Sequence, residues 1–392
     1  SNLGRTDVPW VATSSQPWLA VTPAGVTGGE ILLSADPAGL APDTTHFADV
    51  TVTSPDASVE NQQQIRVGLH VASVAPVAVL VDADAAFLAA SPVEPIVATS
   101  DGVGGSIELR NVYSGALVRT LPGVVARAGG LGFSGDGRSL FVHDATAQRV
   151  VAVSPLTGAQ LASYDATAAQ PGAGVGRALA YLRPAGHPLL VTPGARVFEL
   201  DTGAERAAPD FYEPGVAVSL AVSPDQSLVV TDFGSVKRLE RSALNGGALR
   251  VSDAISAGTV QGRAGEACIS AAGDRVYTAS GFPYEFPATS LATGEVVQRL
   301  PGSNYPNAIQ CVWNGLVVGG IDGFYAATDI WVYDGPSGDA LAELSSSTAA
   351  GYRSLIDRGL VVSADGTRLV SAPRQSGLAA AQLYFQSLRS PR

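Results

Sequence analysis

The chain has no methionine, two cysteines and four histidines among its 392 residues, and each scarcity removes a class of function. Cys268 and Cys311 are too few for a disulfide framework or a cysteine-ligated zinc site, although a single bond between them stays open. No run of eighteen apolar residues occurs, so no helical membrane span is expected. Charged residues make up only 15% and form no acidic or basic block, and a net charge of −11 argues against nucleic acid or another general polyanion as partner. The patterns G-x-S-x-G, H-E-x-x-H and the P-loop are absent. Gly172-Ala-Gly-Val-Gly is a lone glycine-rich loop without the strand and helix of a dinucleotide site. No catalytic set, metal or cofactor is therefore assigned. With no methionine at position 1, Ser1 reads as a processed start left by signal-peptide removal, with a lipid anchor further upstream as an option.

What the chain has in quantity is glycine and proline, 44 and 25 residues, beside 46% hydrophobic residues. That composition suits many short strands joined by tight turns. The stretch from Ala126 to Ala166 is the clearest example. Leu131 and Phe133 mark a first strand, Ser134-Gly-Asp-Gly a turn, Leu140 to Val142 a second strand and Gln148 to Val153 a third. Thr157-Gly158 then turns the chain into a fourth strand, Gln160 to Tyr164.

Four antiparallel strands in roughly 40 to 45 residues is the period of a propeller blade, and the unit recurs. Its last turn reappears as Ser114-Gly115, Thr202-Gly203, Asn245-Gly246, Thr293-Gly294 and Ser337-Gly338, with successive glycines 43, 45, 43, 48 and 44 residues apart. Glycine at this place answers a turn that needs positive φ. The turn after the first strand keeps a second register through Ser223-Pro-Asp-Gln, Ala271-Ala-Gly-Asp and Ser363-Ala-Asp-Gly. The last unit, Arg358 to Leu388, has only three strands. The unassigned strand Val77 to Val81 is expected to supply its fourth and so hide a sheet edge. Small residues in the first strands (Gly129, Gly130, Ala178, Ala180, Gly265, Ala267) fit crowding near a common axis. The expected fold is all-β: a small sandwich over residues 1–73, then a seven-bladed β-propeller over residues 74–392.

The sandwich is read from strand-like segments at Trp18, Glu30, His46 and Gln64. The order PWLAV, GVTGG, FADVTVTS, IRVGLHV resembles the immunoglobulin-like BACON domains. That resemblance implies a secreted, periplasmic or cell-surface setting and carbohydrate binding; Trp18 reads equally as a plain core residue. The later pattern S-x-D-G, L-x-V and T-G resembles the YVTN and quinoprotein-like propeller repeats of bacterial surface proteins and lactonase-like enzymes. The sixth unit, with Gly-Gly and W-x-Y-D, is similar to a kelch repeat, and none carries the Trp-Asp signature of WD40 units. Adjacent cysteines and tryptophan docking motifs, which a quinone enzyme of that kind carries, are missing.

Two groupings of side chains point to a site. Arg127 and Arg263 each lie seven residues before the serine of a first turn, Arg177 is within one residue of that register, and Arg353 or Arg358 is near it in the last unit. On such a fold these arginines converge where the first strands begin and make an anion site; the alternative is that each pairs with a neighbouring carboxylate. Phe282, Tyr284 and Phe286 in GFPYEFPATS, Tyr305, and Phe324 with Tyr325 lie in loops expected on the same face, where rings stack on sugars or on partner side chains. The reading is an extracytoplasmic, monomeric recognition protein for a carbohydrate-like or anionic small molecule or a protein partner. The alternative is a lactonase-like hydrolase using Glu266, Asp322 or His143.

Overall fold

The computed structural model describes residues 7–56, 59, 62–168, 179–183, 186–206, 219–223, 228–231, 236–241, 249–255, 264–280, 284–302, 305–322, 328–346, 353–375 and 381–388. The described residues are all-β and contain no α-helix.

The first strands are β1 (Pro9–Ser14), β2 (Leu19–Val21), β3 (Ala24–Val26), β4 (Leu33–Ala35), β5 (Thr44–Thr53) and β6 (Gln63–Val71). They form one antiparallel sheet in the order β3-β1-β5-β6 and a smaller pair, β2-β4. Trp10, Ala12, Ala48 and Val50 from the larger sheet pack with Trp18 and Leu19 from the smaller one. Trp18 is buried in that core. Burial alternates along β1, with Trp10 and Ala12 turned to the core and Val11 and Thr13 away from it.

After β7 (Val79–Ala85), strands β8 to β31 build six contiguous four-stranded sheets. Sheet one holds β8 (Phe87–Ala90), β9 (Ile96–Ser100), β10 (Ile107–Asn111) and β11 (Leu117–Leu121). Sheet two holds β12 (Ala128–Phe133), β13 (Leu140–Asp144), β14 (Arg149–Val153) and β15 (Gln160–Asp165). Sheet three holds β16 (Ala180–Leu182), β17 (Leu189–Val191), β18 (Val197–Glu199) and β19 (Glu205–Arg206). Sheet four holds β20 (Ser219–Val222), β21 (Leu228–Thr231), β22 (Val236–Arg241) and β23 (Leu249–Ile255). Sheet five holds β24 (Ala264–Ile269), β25 (Arg275–Ser280), β26 (Glu285–Ser290) and β27 (Val296–Pro301). Sheet six holds β28 (Pro306–Cys311), β29 (Leu316–Ile321), β30 (Ile330–Asp334) and β31 (Ala340–Leu344). Sheet seven is composite: β32 (Arg353–Val362), β33 (Arg368–Gln375) and β34 (Ala381–Ser387) take β7 as their fourth strand. The closing strand thus begins two residues later than the expected Val77, and it pairs antiparallel with β34, Leu80 opposite Tyr384.

Each sheet is the four-strand unit of the repeat, and the turn glycines behave as that unit requires. Gly115, Gly158, Gly203, Gly294 and Gly338 all have φ between 70° and 83°, a region costly for any residue with a Cβ; Gly246 lies outside the described residues. The sheets pack face to face through apolar side chains. Ile107 and Leu109 of sheet one share a core with Phe133, Leu140 and Val142 of sheet two. Val361, Val370, Leu383 and Phe385 of sheet seven share another with Val97 and Val112 of sheet one. First strands lie side by side in the sequence β8, β12, β16, β20, β24, β28, β32, and β32 again touches β8. Cys268 on β24 and Cys311 on β28 are joined by a disulfide, with Cα atoms 5.5 Å apart.

Candidate functional site

In a four-stranded antiparallel unit, the loop leading into the first strand and the loop between strands two and three emerge at one end, and the other two turns at the opposite end. Arg127 immediately precedes β12, Tyr284 lies between β25 and β26, and Tyr305 precedes β28, so all three belong to the first end. Arg177, Arg263, Phe282, Phe324 and Tyr325 lie outside the described residues, as does the side chain of Arg353, whose backbone opens β32.

The loop carrying Arg127 is organised by the buried carboxylate of Asp144, whose Oδ1 accepts from the backbone of Thr146 and Ala147, each at 3.1 Å, and whose Oδ2 accepts from Ala126 at 3.3 Å. Burial alone would raise this carboxyl. The N–H groups of Ala147, Ala126, Thr146 and Arg127 together outweigh it and hold the pKa below the usual value. Arg127 itself is exposed and has no carboxylate partner among the described residues. The neighbouring His143 is 3% exposed, and neither ring nitrogen has a partner in bonding geometry among the described residues. Burial lowers its pKa, with the Gly129 backbone and Asp144 opposing only in part.

Tyr284 and Tyr305 come together, with ring centroids 5.3 Å apart at an interplanar angle of 75°. Tyr284 is 37% and Tyr305 50% exposed. Both have positive φ, 69° and 54°, which is rare for a bulky side chain and costs on the order of 1–3 kcal/mol at each. The hydrogen bond between the phenols, and then the proximity of Tyr305, hold the Tyr284 hydroxyl above its ordinary pKa.

Phe286 is a correction. It is not a loop residue offering a ring face: Glu285–Ser290 is strand β26, and Phe286 is fully buried against Tyr333, 6.2 Å between centroids. Its ring fits because Gly319 faces it; a Cβ there would lie 2.6 Å from Phe286 Cζ. Of the hydrolase candidates, Glu266 is committed to structure, accepting from Ile309 N at 2.8 Å and Gln310 Nε2 at 2.9 Å across sheets five and six. Asp322 donates its backbone N–H to Tyr305 O at 3.0 Å. Among the described residues no three His, Cys, Asp or Glu side chains converge as a metal-sized cluster.

At the opposite end lies a cleft that sequence reasoning missed. The β5–β6 sheet docks there on the turns of sheets one, two and three. Arg66 on β6 stacks over Phe47 at 3.9 Å, donates through Nη1 to Asp136 O at 2.9 Å, and lies 3.5 Å from Glu94. Burial raises the pKa of Glu94, with Arg66 opposing. Arg138 reaches both oxygens of Asp49 at 3.3 Å, and Arg183 donates to Gln64 O at 2.9 Å and Gly186 O at 3.1 Å. His70 stacks on Tyr113, 5.4 Å between centroids. Between these contacts is a cavity of about 440 Å³ whose floor includes Phe141, Tyr164 and Tyr181. The available signal was an arginine directly after a first turn, at Arg138 and again at Arg275, which the loop-face reading did not weigh.

No protein-family model matches the chain, and comparison with curated proteins finds no match.

Proposed function

We propose that the chain is an extracytoplasmic recognition protein in which an immunoglobulin-like sandwich (residues 1–73) precedes a seven-bladed propeller (residues 74–392). Its carbohydrate-like or anionic ligand is held on the face of the loops between sheets. Seven successive four-stranded sheets, the completion of the last by β7 and the contact of β32 with β8 support the propeller. The disulfide supports an oxidising compartment.

The observation that carries the ligand reading is the Tyr284–Tyr305 pair: two exposed, hydrogen-bonded tyrosines in left-handed conformations on neighbouring loops of one face. Strained backbone and exposed aromatic surface both accumulate where proteins bind ligands. Arg127 adds a cation on the same face that has no carboxylate partner among the described residues. Glu266, already occupied by β28, weighs against the lactonase-like alternative.

The test is a calorimetric screen of neutral glycans and small carboxylic acids on the wild type and on a variant combining Arg127→Ala, Tyr284→Ala and Tyr305→Ala. The expected result is a ligand whose affinity falls at least about tenfold in the variant. Affinity unchanged by all three substitutions removes the site, and metal-dependent lactone hydrolysis overturns the class.

A further inference from the structure

We propose that the cleft between the β5–β6 sheet and the turns of sheets two and three is a second binding site, and that it takes an uncharged polyhydroxylated ligand, a saccharide of one or two rings. The proposal is independent of the loop-face site, which lies at the other end of the sheets.

Size is the first argument. About 440 Å³ falls within the range of small-ligand pockets, roughly 300–1,000 Å³, which form preferentially where domains meet. The second argument is charge. Arg66, Arg138 and Arg183 line the cleft together with Asp49, Asp136 and Asp201, so formal charges cancel. The arginines are also engaged: Arg66 with Glu94, Arg138 with Asp49, and Arg183 with two backbone carbonyls. Asp136 accepts from Ser134 Oγ at 2.6 Å and Arg138 N at 3.0 Å. With three guanidinium and three carboxylate groups in balance, the cleft offers a charged ligand no net counter-charge for the hydration it loses, which is unfavourable.

Hydrogen-bonding capacity, by contrast, remains. A guanidinium has five N–H donors, and the contacts above use only some of them. The hydroxyls of Tyr164 and Tyr181 have no hydrogen-bond partner among the described residues. Burial raises both phenols, Tyr181 to about 12, so they stay neutral and able both to donate and to accept. Ring carbon around the two hydroxyls, with planar polar groups at the rim, matches a molecule with apolar C–H faces and hydroxyls at its edge.

The floor is preformed. Tyr181 stacks on Phe141 at 6.4 Å and Tyr164 packs on Phe198 at 5.3 Å. Tyr181 lies so close over the SGDG turn that a Cβ on Gly135 would come within 2.8 Å of its Cε1. Rings held this way lose little freedom when a ligand arrives. Because Asp49, Gln64 and Arg66 close the cleft from the N-terminal sheet, an occupant would also reinforce docking of that sheet.

The experiment uses the full chain, with cellobiose, maltose and N,N′-diacetylchitobiose as neutral probes and glucuronic acid beside glucose as a charge comparison. Saturation-transfer NMR and calorimetry read the binding. At least one neutral probe is expected to bind at up to millimolar dissociation constant, and the Tyr164→Phe, Tyr181→Phe double variant, which keeps both rings, is expected to weaken it about tenfold. Tyr284→Ala with Tyr305→Ala, run beside it, reads out any share of the binding that belongs to the loop face. Absence of binding by all three neutral probes overturns the proposal, as does full affinity in the phenylalanine variant or tighter binding of glucuronic acid than of glucose. Binding lost only in the Tyr284, Tyr305 variant overturns it while supporting the loop-face site.

Discussion

Sheet two and sheet seven have the same four-strand order, but they are assembled differently. Sheet two comes from residues 128–165, each strand meeting the next across a short turn. Sheet seven joins β34 to β7, so that Phe385 lies opposite Val79. A contiguous sheet needs only local closure, whereas the composite sheet must bring together distant parts of the chain before its ladder forms. The composite sheet carries an additional fastening. Arg368, 1% exposed, donates from Nη1 to Ser387 Oγ at 2.9 Å and from Nη2 to Val77 O at 2.8 Å and Tyr113 O at 3.2 Å. One guanidinium thus joins sheet seven, the segment before β7 and a turn of sheet one. Asp365 accepts from Tyr113 Oη at 2.6 Å across the same seam.

Deleting residues 79–85 breaks this comparison most directly, because it exposes the edge of β34 and the apolar surface of Leu383 and Phe385. The expected loss consumes most of a stability margin of about 5–15 kcal/mol, seen as absence of a cooperative thermal transition. A transition retained near the wild-type midpoint would show that sheet seven does not need its fourth strand. Next in size is the disulfide, which fastens two contiguous sheets. Its partners are 43 residues apart, a loop for which removal by Cys268→Ala with Cys311→Ala is expected to cost about 4 kcal/mol in denaturant unfolding. Arg368→Met should cost about 3 kcal/mol, since it removes three charge-assisted hydrogen bonds across the seam. Hydrogen exchange should localise that loss to β7 and β34 rather than to sheet two.

The smallest effect belongs to sheet two and appears only in acid. His143 is buried, and its folded-state pKa lies below the ordinary value of about 6.5. As pH falls from 7, the unfolded chain takes up the proton first, so stability is intact above about 6.5 and declines below it. His143→Leu should flatten that decline by up to about 1.4 kcal/mol per pH unit and change stability at pH 8 little. His70, also lowered by burial, keeps part of the slope in place. An unchanged acid slope in the variant would show that His143 is hydrated in the folded protein.

The repeat was legible because turn geometry writes glycine into the chain at nearly constant spacing, and the missing fourth strand followed from counting strands against that period. Phe286 was misread because three aromatics in a proline-flanked segment look alike in sequence; only strand pairing sets which of them alternates inward toward Gly319. The cleft escaped for another reason. Asp49, Arg66, Arg138 and Arg183 lie in separate elements, and nothing local to any of them encodes the orientation at which the N-terminal sheet docks. The tyrosine pair lay between these cases: loop order placed Tyr284 and Tyr305 on one face, while their hydrogen bond and left-handed backbone belong to tertiary structure.

The polarity of the β7–β34 ladder has a mechanical consequence. Only residues 72–78 connect β6 to β7, and β7 begins beside the end of β34, with Val79 opposite Phe385 and Ala85 opposite Ala381. Tension applied between the N-terminal sheet and residue 387 therefore pulls on the same end of both strands. The rungs are loaded one after another, as in a zipper, rather than all at once in shear. Within the seventh sheet, the β7–β34 ladder is therefore the pairing that opens rung by rung under such a pull.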